Sequence, residues 1–104
     1  MTRKPELAAA AASSDIVCRR LMICNQKGLH ARAAAKFVKL ASTFDAEVMV
    51  VKNDTRVSGC SIMGLMMLAA GPGCEIDVEA TGAGAERAVE ALAQLVAGKF
   101  DEDE

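Results

Sequence analysis

Cys74-Glu75-Ile76-Asp77-Val78-Glu79-Ala80 alternates without a break between apolar and acidic residues. A period of two sends successive side chains to opposite faces of an extended chain, so the stretch reads as a strand with Ile76, Val78 and Ala80 inward and Glu75, Asp77 and Glu79 in water. A strand that is wet on one side belongs to an antiparallel sheet covered on one face, because parallel sheets are buried on both. Gly71-Pro72-Gly73 punctuates the strand on one side, and Gly82 and Gly84 on the other.

Further strands lie upstream. Val17 to Ile23 sets Val17, Leu21 and Ile23 on one face, and Ala46 to Lys52 does the same with Ala46, Val48 and Val50. Asn53-Asp54 is a turn signal, after which Thr55 to Ser58 returns as the second arm of a hairpin. Three stretches have helical spacing. Ala34, Phe37, Val38 and Ala41 form a stripe on a helix from Ala31 to Ser42. Ser61 opens a short apolar helix from Ile62 to Leu68, and Ala85 to Ala97 forms the last helix, facing inward with Ala85, Ala88, Val89, Leu92, Leu95 and Val96. The order β-α-β-β-α-β-α predicts an α+β fold, an open-faced β-sandwich with a four-stranded antiparallel sheet covered on one face by three helices. A tail over residues 1–15, a single domain over 16–100 and an acidic fringe over 101–104 complete the expected organisation.

Composition narrows the function classes. With 104 residues, 52% apolar, 3% aromatic and neither Trp nor Tyr, the core is expected to consist of Ala, Val, Leu, Ile and Met. A net charge of -2 and the scarcity of stacking rings argue against nucleic acid. Apolar runs are too short for membrane insertion, and Ala8 to Ala12, preceded by Glu6, is too weakly apolar for a signal-peptide core; a cytoplasmic chain is expected. Cys18, Cys24, Cys60 and Cys74 are scattered without a CxxC pair, so buried or half-buried thiols are expected rather than a metal site, and no cofactor is called for.

The chain has a single histidine, His30, within Gly28-Leu29-His30-Ala31-Arg32-Ala33-Ala34. A helix beginning after it leaves its first amide N–H groups without intrahelical partners, and with the helix dipole these form an anion site. Imidazole is a nucleophile near neutral pH. A nucleophile, an anion cradle and the guanidinium of Arg32 in one stretch point to a histidine that carries a phosphoryl group. The plainer alternative is a capping or surface histidine.

Gly28-Leu29-His30-Ala31-Arg32 and, about thirty residues on, Ser61-Ile62-Met63-Gly64-Leu65-Met66 resemble the two signatures of the HPr family, phosphocarriers of the bacterial phosphoenolpyruvate-dependent phosphotransferase system. The similarity covers roughly residues 16–98, with the same order of elements. The resemblance implies that His30 accepts a phosphoryl group on Nδ1 from phosphorylated enzyme I and passes it to an enzyme IIA. The protein would then be a monomeric carrier rather than a turnover catalyst. Arg32 would neutralise charge on the group, with the N–H groups of Ala31, Arg32 and Ala33 helping to hold it.

Ser61 matches the serine modified by an HPr kinase/phosphorylase in many relatives, and is by itself a helix N-cap. Ile62, Met63 and Met66 would meet partners through an adaptable apolar surface. Two positions depart from the common pattern: Ala33 stands where many relatives have proline, and Cys60 where many have lysine. The missing proline and the Met-rich segment favour the nitrogen-regulatory branch over sugar uptake. Two other functions fit the same residues less fully. One is a purely regulatory binding module switched at Ser61; the other is a small ligand-binding domain of ferredoxin-like character, which needs a polar pocket.

Overall fold

The structure, a computed structural model, describes residues 16–102, so the expected tail lies outside the described residues. The elements are β1 (Val17–Met22), α1 (Ala31–Ala41), β2 (Glu47–Lys52), β3 (Thr55–Ser58), α2 (Ile62–Met67), β4 (Glu75–Thr81) and α3 (Ala85–Ala97), followed by a 3-10 turn over Lys99–Asp101. The sheet has the order β1-β4-β2-β3, with every pair antiparallel. The expected open-faced sandwich is therefore the observed one.

The clean alternation of β4 follows from its place in the sheet. It lies between β1 and β2, so its backbone is bonded on both edges while one side-chain face stays wet. Opposite its inward residues stand Leu21 across from Ile76, Val50 across from Val78, and Val48 across from Ala80. On the wet face Arg20 of β1 pairs with Asp77 at 2.9 Å and approaches Glu75 at 3.9 Å, and Arg56 of β3 reaches across β2 to Glu79. The Arg20 guanidinium holds the Asp77 carboxyl below its ordinary range. These exposed pairs select register more than they add stability.

Edge strands keep the alternation less strictly. Arg19 occupies the inward register between Val17 and Leu21, yet its guanidinium escapes over the edge of β1 to Glu90 of α3 at 3.1 Å. At the opposite edge the β2–β3 hairpin turns through Asn53, which takes the left-handed conformation (φ 56°) that Asn tolerates better than most residues.

The core lies between the sheet and the helices. Its largest fully buried side chains are Phe37, Phe100, Ile23, Leu65, Ile76 and Leu92. Ala33, Ala34 and Ala41 of α1 and Ala85 and Ala88 of α3 are also buried, their small side chains letting both helices pack close. Two expectations need correction. No described methionine belongs to the buried core: Met22, Met63, Met66 and Met67 are exposed, and two phenylalanines supply the large volumes instead. The thiols are not generally buried: Cys18, Cys24 and Cys60 are exposed and only Cys74 is partly covered, because they fall on the wet sheet face or in connecting segments.

Element ends differ from the expected ones by a residue or so. Ser42 is the C-cap of α1 and Leu68 that of α2, and β4 continues through Thr81. The packed chain also runs past residue 100. Lys99, Phe100 and Asp101 all have left-handed backbones (φ 60°, 56° and 61°), which cost L-residues about 1–2 kcal/mol each. The complete burial of Phe100 anchors this turn, and burying such a side chain contributes about 1.5–3 kcal/mol.

Truncation at the centre of this core has a defined expected effect. Phe37→Ala lowers the unfolding free energy by about 3–5 kcal/mol in urea denaturation. Met63→Ala, 72% exposed in the parent, changes it by no more than about 0.5 kcal/mol.

Candidate functional site

The loop before α1 is shaped by a glycine and a buried amide. Gly28 has φ 64°, and a Cβ there would lie 2.3 Å from the Ala70 carbonyl oxygen, a backbone atom that cannot move aside alone. Directly after it, the Leu29 N–H donates to that same carbonyl at 2.9 Å. The chain leaving α2 and the chain entering α1 are thereby joined backbone to backbone. Asn25, fully buried, closes the loop from below, its amide donating to the Gly28 carbonyl at 2.9 Å.

His30 is the N-cap of α1, in extended conformation and without a side-chain capping bond. The first amide that bonds back into the helix is that of Ala34, to the His30 carbonyl at 2.8 Å. The N–H groups of Ala31, Arg32 and Ala33 therefore precede the helical ladder, the position expected of an anion cradle. They carry the positive end of the dipole to the ring. The ring is partly covered, with 28% of its side-chain surface exposed.

A cleft of about 860 Å³ opens beside it, lined by Gln26, Lys27, His30, Ala31, Arg32, Lys36, Asp101 and Glu102. Arg32 is exposed and, among the described residues, makes no hydrogen bond or ion pair, so its guanidinium can turn to an incoming anion. Lys36, one helical turn beyond Arg32 on α1, donates to the Phe100 carbonyl at 2.6 Å. His30, Ala31 and Arg32 line one cleft, whereas Ala33, the third residue of the expected cradle, is buried and does not line it.

Ser61 and the Met cluster occupy a different part of this face. Ser61 is the N-cap of α2, its hydroxyl accepting from the Gly64 N–H at 3.0 Å. It stands at the far end of α2 from the Ala70 joint, about 9 Å along a six-residue helix. Ile62, Met63 and Met66 are 40%, 72% and 42% exposed, and Met67 is exposed beside them. Leu65 and Leu68 point into the core.

Sequence reasoning did not find Glu102, the most intimate neighbour of His30. Its carboxylate contacts the Nε2 of the ring through one oxygen and accepts from the Asn25 amide at 3.0 Å through the other. The bond to His30 and then that to Asn25 hold the Glu102 carboxyl below its ordinary value of 4.5, with Lys27 contributing. Residues 101–104 are expected as an acidic fringe; the left-handed turn folds its beginning onto the site, while Asp103 and Glu104 lie outside the described residues. Asn25 also passed unnoticed, although an asparagine three residues before a glycine is a turn signal.

Comparison with known proteins agrees with this geometry. Residues 17–98 match the family model described as "PTS HPr component phosphorylation site". The chain is 55% identical over 82 residues to the phosphocarrier protein HPr of Neisseria meningitidis, covering 79% of this chain and 92% of that one. It is 46% identical over 84 residues to the phosphocarrier protein NPr of Shewanella violacea, covering 81% and 92%. Among solved structures, HPr-C-His from Thermoanaerobacter tengcongensis superposes with a TM-score of 0.80 at 39% identity, covering 85% of this chain and 99% of that one. The phosphocarrier HPr of Bacillus anthracis gives a TM-score of 0.76 at 41% identity, covering 80% and 99%.

Two outcomes test the loop and the clasp. Gly28→Ala, which sets a Cβ against backbone in a left-handed conformation, destabilises the fold by about 2 kcal/mol in urea titration. The Glu102 carboxyl is lowered on folding, so the clasp's contribution is complete above the unfolded value near 4.5 and disappears as the pH falls through the lower folded value. Hydrogen exchange at Asp101 and Glu102 therefore accelerates, relative to the α1 amides, on acidification from pH 6 to about pH 3.

Proposed function

The chain belongs to the HPr family of phosphotransferase-system phosphocarriers, and we propose that His30 is the residue that takes the phosphoryl group from phosphorylated enzyme I and yields it to an enzyme IIA. The observation that carries this reading is the placement of a part-exposed imidazole at the N-terminus of α1. The unladdered N–H groups of the first helical turn lie directly after it in the chain, and the unengaged guanidinium of Arg32 shares its cleft. Phosphoryl transfer asks little covalent chemistry of a protein beyond a nucleophile, alignment and compensation of charge. Ala31, Arg32 and Ala33 supply the backbone donors, and Arg32 the mobile charge. No cofactor or metal enters the reading.

A carrier must also let go. The cradle is open to solvent and offers one unengaged guanidinium rather than a closed shell, so the bound group is held lightly enough to move on. Partners would dock over His30 and the exposed Ile62, Met63 and Met66 as a monomer meets each enzyme in turn, in the cytoplasm; Met side chains adapt to more than one surface. As an N-cap, Ser61 is also the residue through which an HPr kinase/phosphorylase would regulate the carrier. A phosphate at that cap favours α2 while adding negative charge to the docking face. The relatives bear both HPr and NPr names, and we assign the chain to the regulatory branch on the absence of proline at Ala33 and the Met-rich α2.

Incubation with phosphoenolpyruvate and an enzyme I from the same cell is expected to add one acid-labile phosphoryl group by intact mass, absent from His30→Ala. An unmodified parent chain rejects the carrier reading. Arg32→Ala slows acceptance by roughly tenfold or more, yet moves stability by no more than about 0.5 kcal/mol, since it removes charge stabilisation at an exposed site. Ser61→Asp retains an effective cap and folds normally, but accepts phosphate more slowly; an unchanged rate counts against regulation at this residue.

A further inference from the structure

The amide of Asn25 has two N–H groups and two acceptors before it, the Gly28 carbonyl and Glu102 Oε1, so its orientation is forced. Its own Oδ1 is buried and has no hydrogen-bond partner among the described residues. Glu102, whose carboxyl the bonds to His30 and Asn25 hold below its ordinary range, is a carboxylate at neutral pH, so its other oxygen Oε2 can only accept from the imidazole. The hydrogen of a neutral His30 ring must then sit on Nε2, which leaves the lone pair on Nδ1. The segment that delivers Glu102 is three consecutive left-handed residues, anchored by buried Phe100 and by Lys36 on its carbonyl. Strained backbone of this kind persists where surrounding structure over-determines it, and it concentrates at functional sites.

We infer that Glu102, oriented by Asn25, is a positioning residue that keeps the hydrogen of His30 on Nε2 and so presents the Nδ1 lone pair to the incoming phosphoryl group. The inference rests on the carrier reading above. In the step, the Nδ1 lone pair forms the new N–P bond while the donor's bond to phosphorus breaks and its electron pair stays with the donor. Nε2 keeps its hydrogen throughout, so no proton moves. The phosphorylated ring is then a cation beside the Glu102 carboxylate. On delivery, the N–P electron pair returns to Nδ1 and the ring is neutral again with its hydrogen in place. Glu102 touches the nitrogen that does not react, so it can stay bound through both transfers.

The test uses the full chain with ¹⁵N-labelled histidine. Ring nitrogen shifts are read at about pH 9, where a histidine ring is neutral. The Nε2–H tautomer is expected to dominate in the parent, and its ratio to the Nδ1–H form to fall roughly tenfold in Glu102→Ala, the loss of one charge-assisted hydrogen bond. Asn25→Asp, which sets a second carboxylate against Glu102, shifts the ratio in the same direction. Glu102→Ala removes a side chain outside the helices, the sheet and the hydrophobic core, so it reports even where the buried Asn25 variant fails to fold.

Phosphate acceptance from phosphorylated enzyme I slows by roughly tenfold in Glu102→Ala, the low end of what losing an outer partner costs a working imidazole. Glu102→Asp, which keeps the charge, restores part of the rate. An unchanged tautomer ratio overturns the inference, as does a falling ratio with an unchanged rate. Faster acceptance by Glu102→Ala also overturns it, marking Glu102 as a plug rather than a support. A parent chain that accepts no phosphate rejects the carrier reading and with it the kinetic half, while the ring spectra, which need no partner, still decide whether the clasp sets the tautomer.

Discussion

One backbone carbonyl, that of Ala70, joins the fold to the site. It receives the Leu29 N–H and lies so close beneath Gly28 that no side chain fits between them. The carbonyl belongs to the chain just leaving α2, and the donor to the chain about to enter α1. Removing the joint would free both the loop that aims His30 and the apolar helix beside it. The rest of the architecture keeps this contact in place. The sheet supplies a rigid floor, and Leu65 and Leu68 bury α2, and Phe37 buries α1, in the one core above it. A glycine at 28 is therefore a geometric requirement, and the histidine two residues on inherits its position from it.

The sheet was legible in the sequence where burial was one-sided and complete, and less so at the edges. Strand β4, bonded on both sides, left no freedom for its side chains but in or out, so its pattern could be read directly. Arg19 on β1 breaks the pattern because an edge strand lets a long side chain leave the inward register around its rim. The methionines misled because hydropathy alone suggests burial, whereas a six-residue helix offers the core one narrow face, which Leu65 fills. The thiols misled in the same way, as small apolar groups placed by chain position on a wet face or in a connection.

At the site, the local part was readable and the distant part was not. The succession Gly28, His30, Arg32 and the start of an alanine-rich helix lies within five residues, and neighbouring residues on a known element have predictable geometry. Glu102 is 72 residues from His30. Its arrival depends on three non-glycine residues in a conformation that local propensity disfavours. Pattern reasoning follows local preference, so it ended the domain where the preference ran out. The burial of Phe100, the Lys36 bond to its carbonyl and the Glu102 contacts, all tertiary facts, together offset the strain of the turn.

The charges around the ring divide by the job each can do. Lys36, tied to the Phe100 carbonyl, and the neutral Asn25, tied to the Glu102 carboxylate, hold the segment over residues 99–102 in place rather than meeting a ligand. Arg32 is untied, at the mouth of the cleft, where a charge that must come and go is useful. Glu102 puts a negative group within reach of an anion's destination, an arrangement that would oppose binding were it on the reacting side of the ring. It lies on Nε2 instead, with the imidazole interposed between the carboxylate and Nδ1. The ring thereby separates two opposing electrostatic demands: attraction for the phosphoryl group at one nitrogen, and a counter-charge for the ring at the other. A shallow, solvent-open site can meet both without enclosing the group, which is the condition for passing it on.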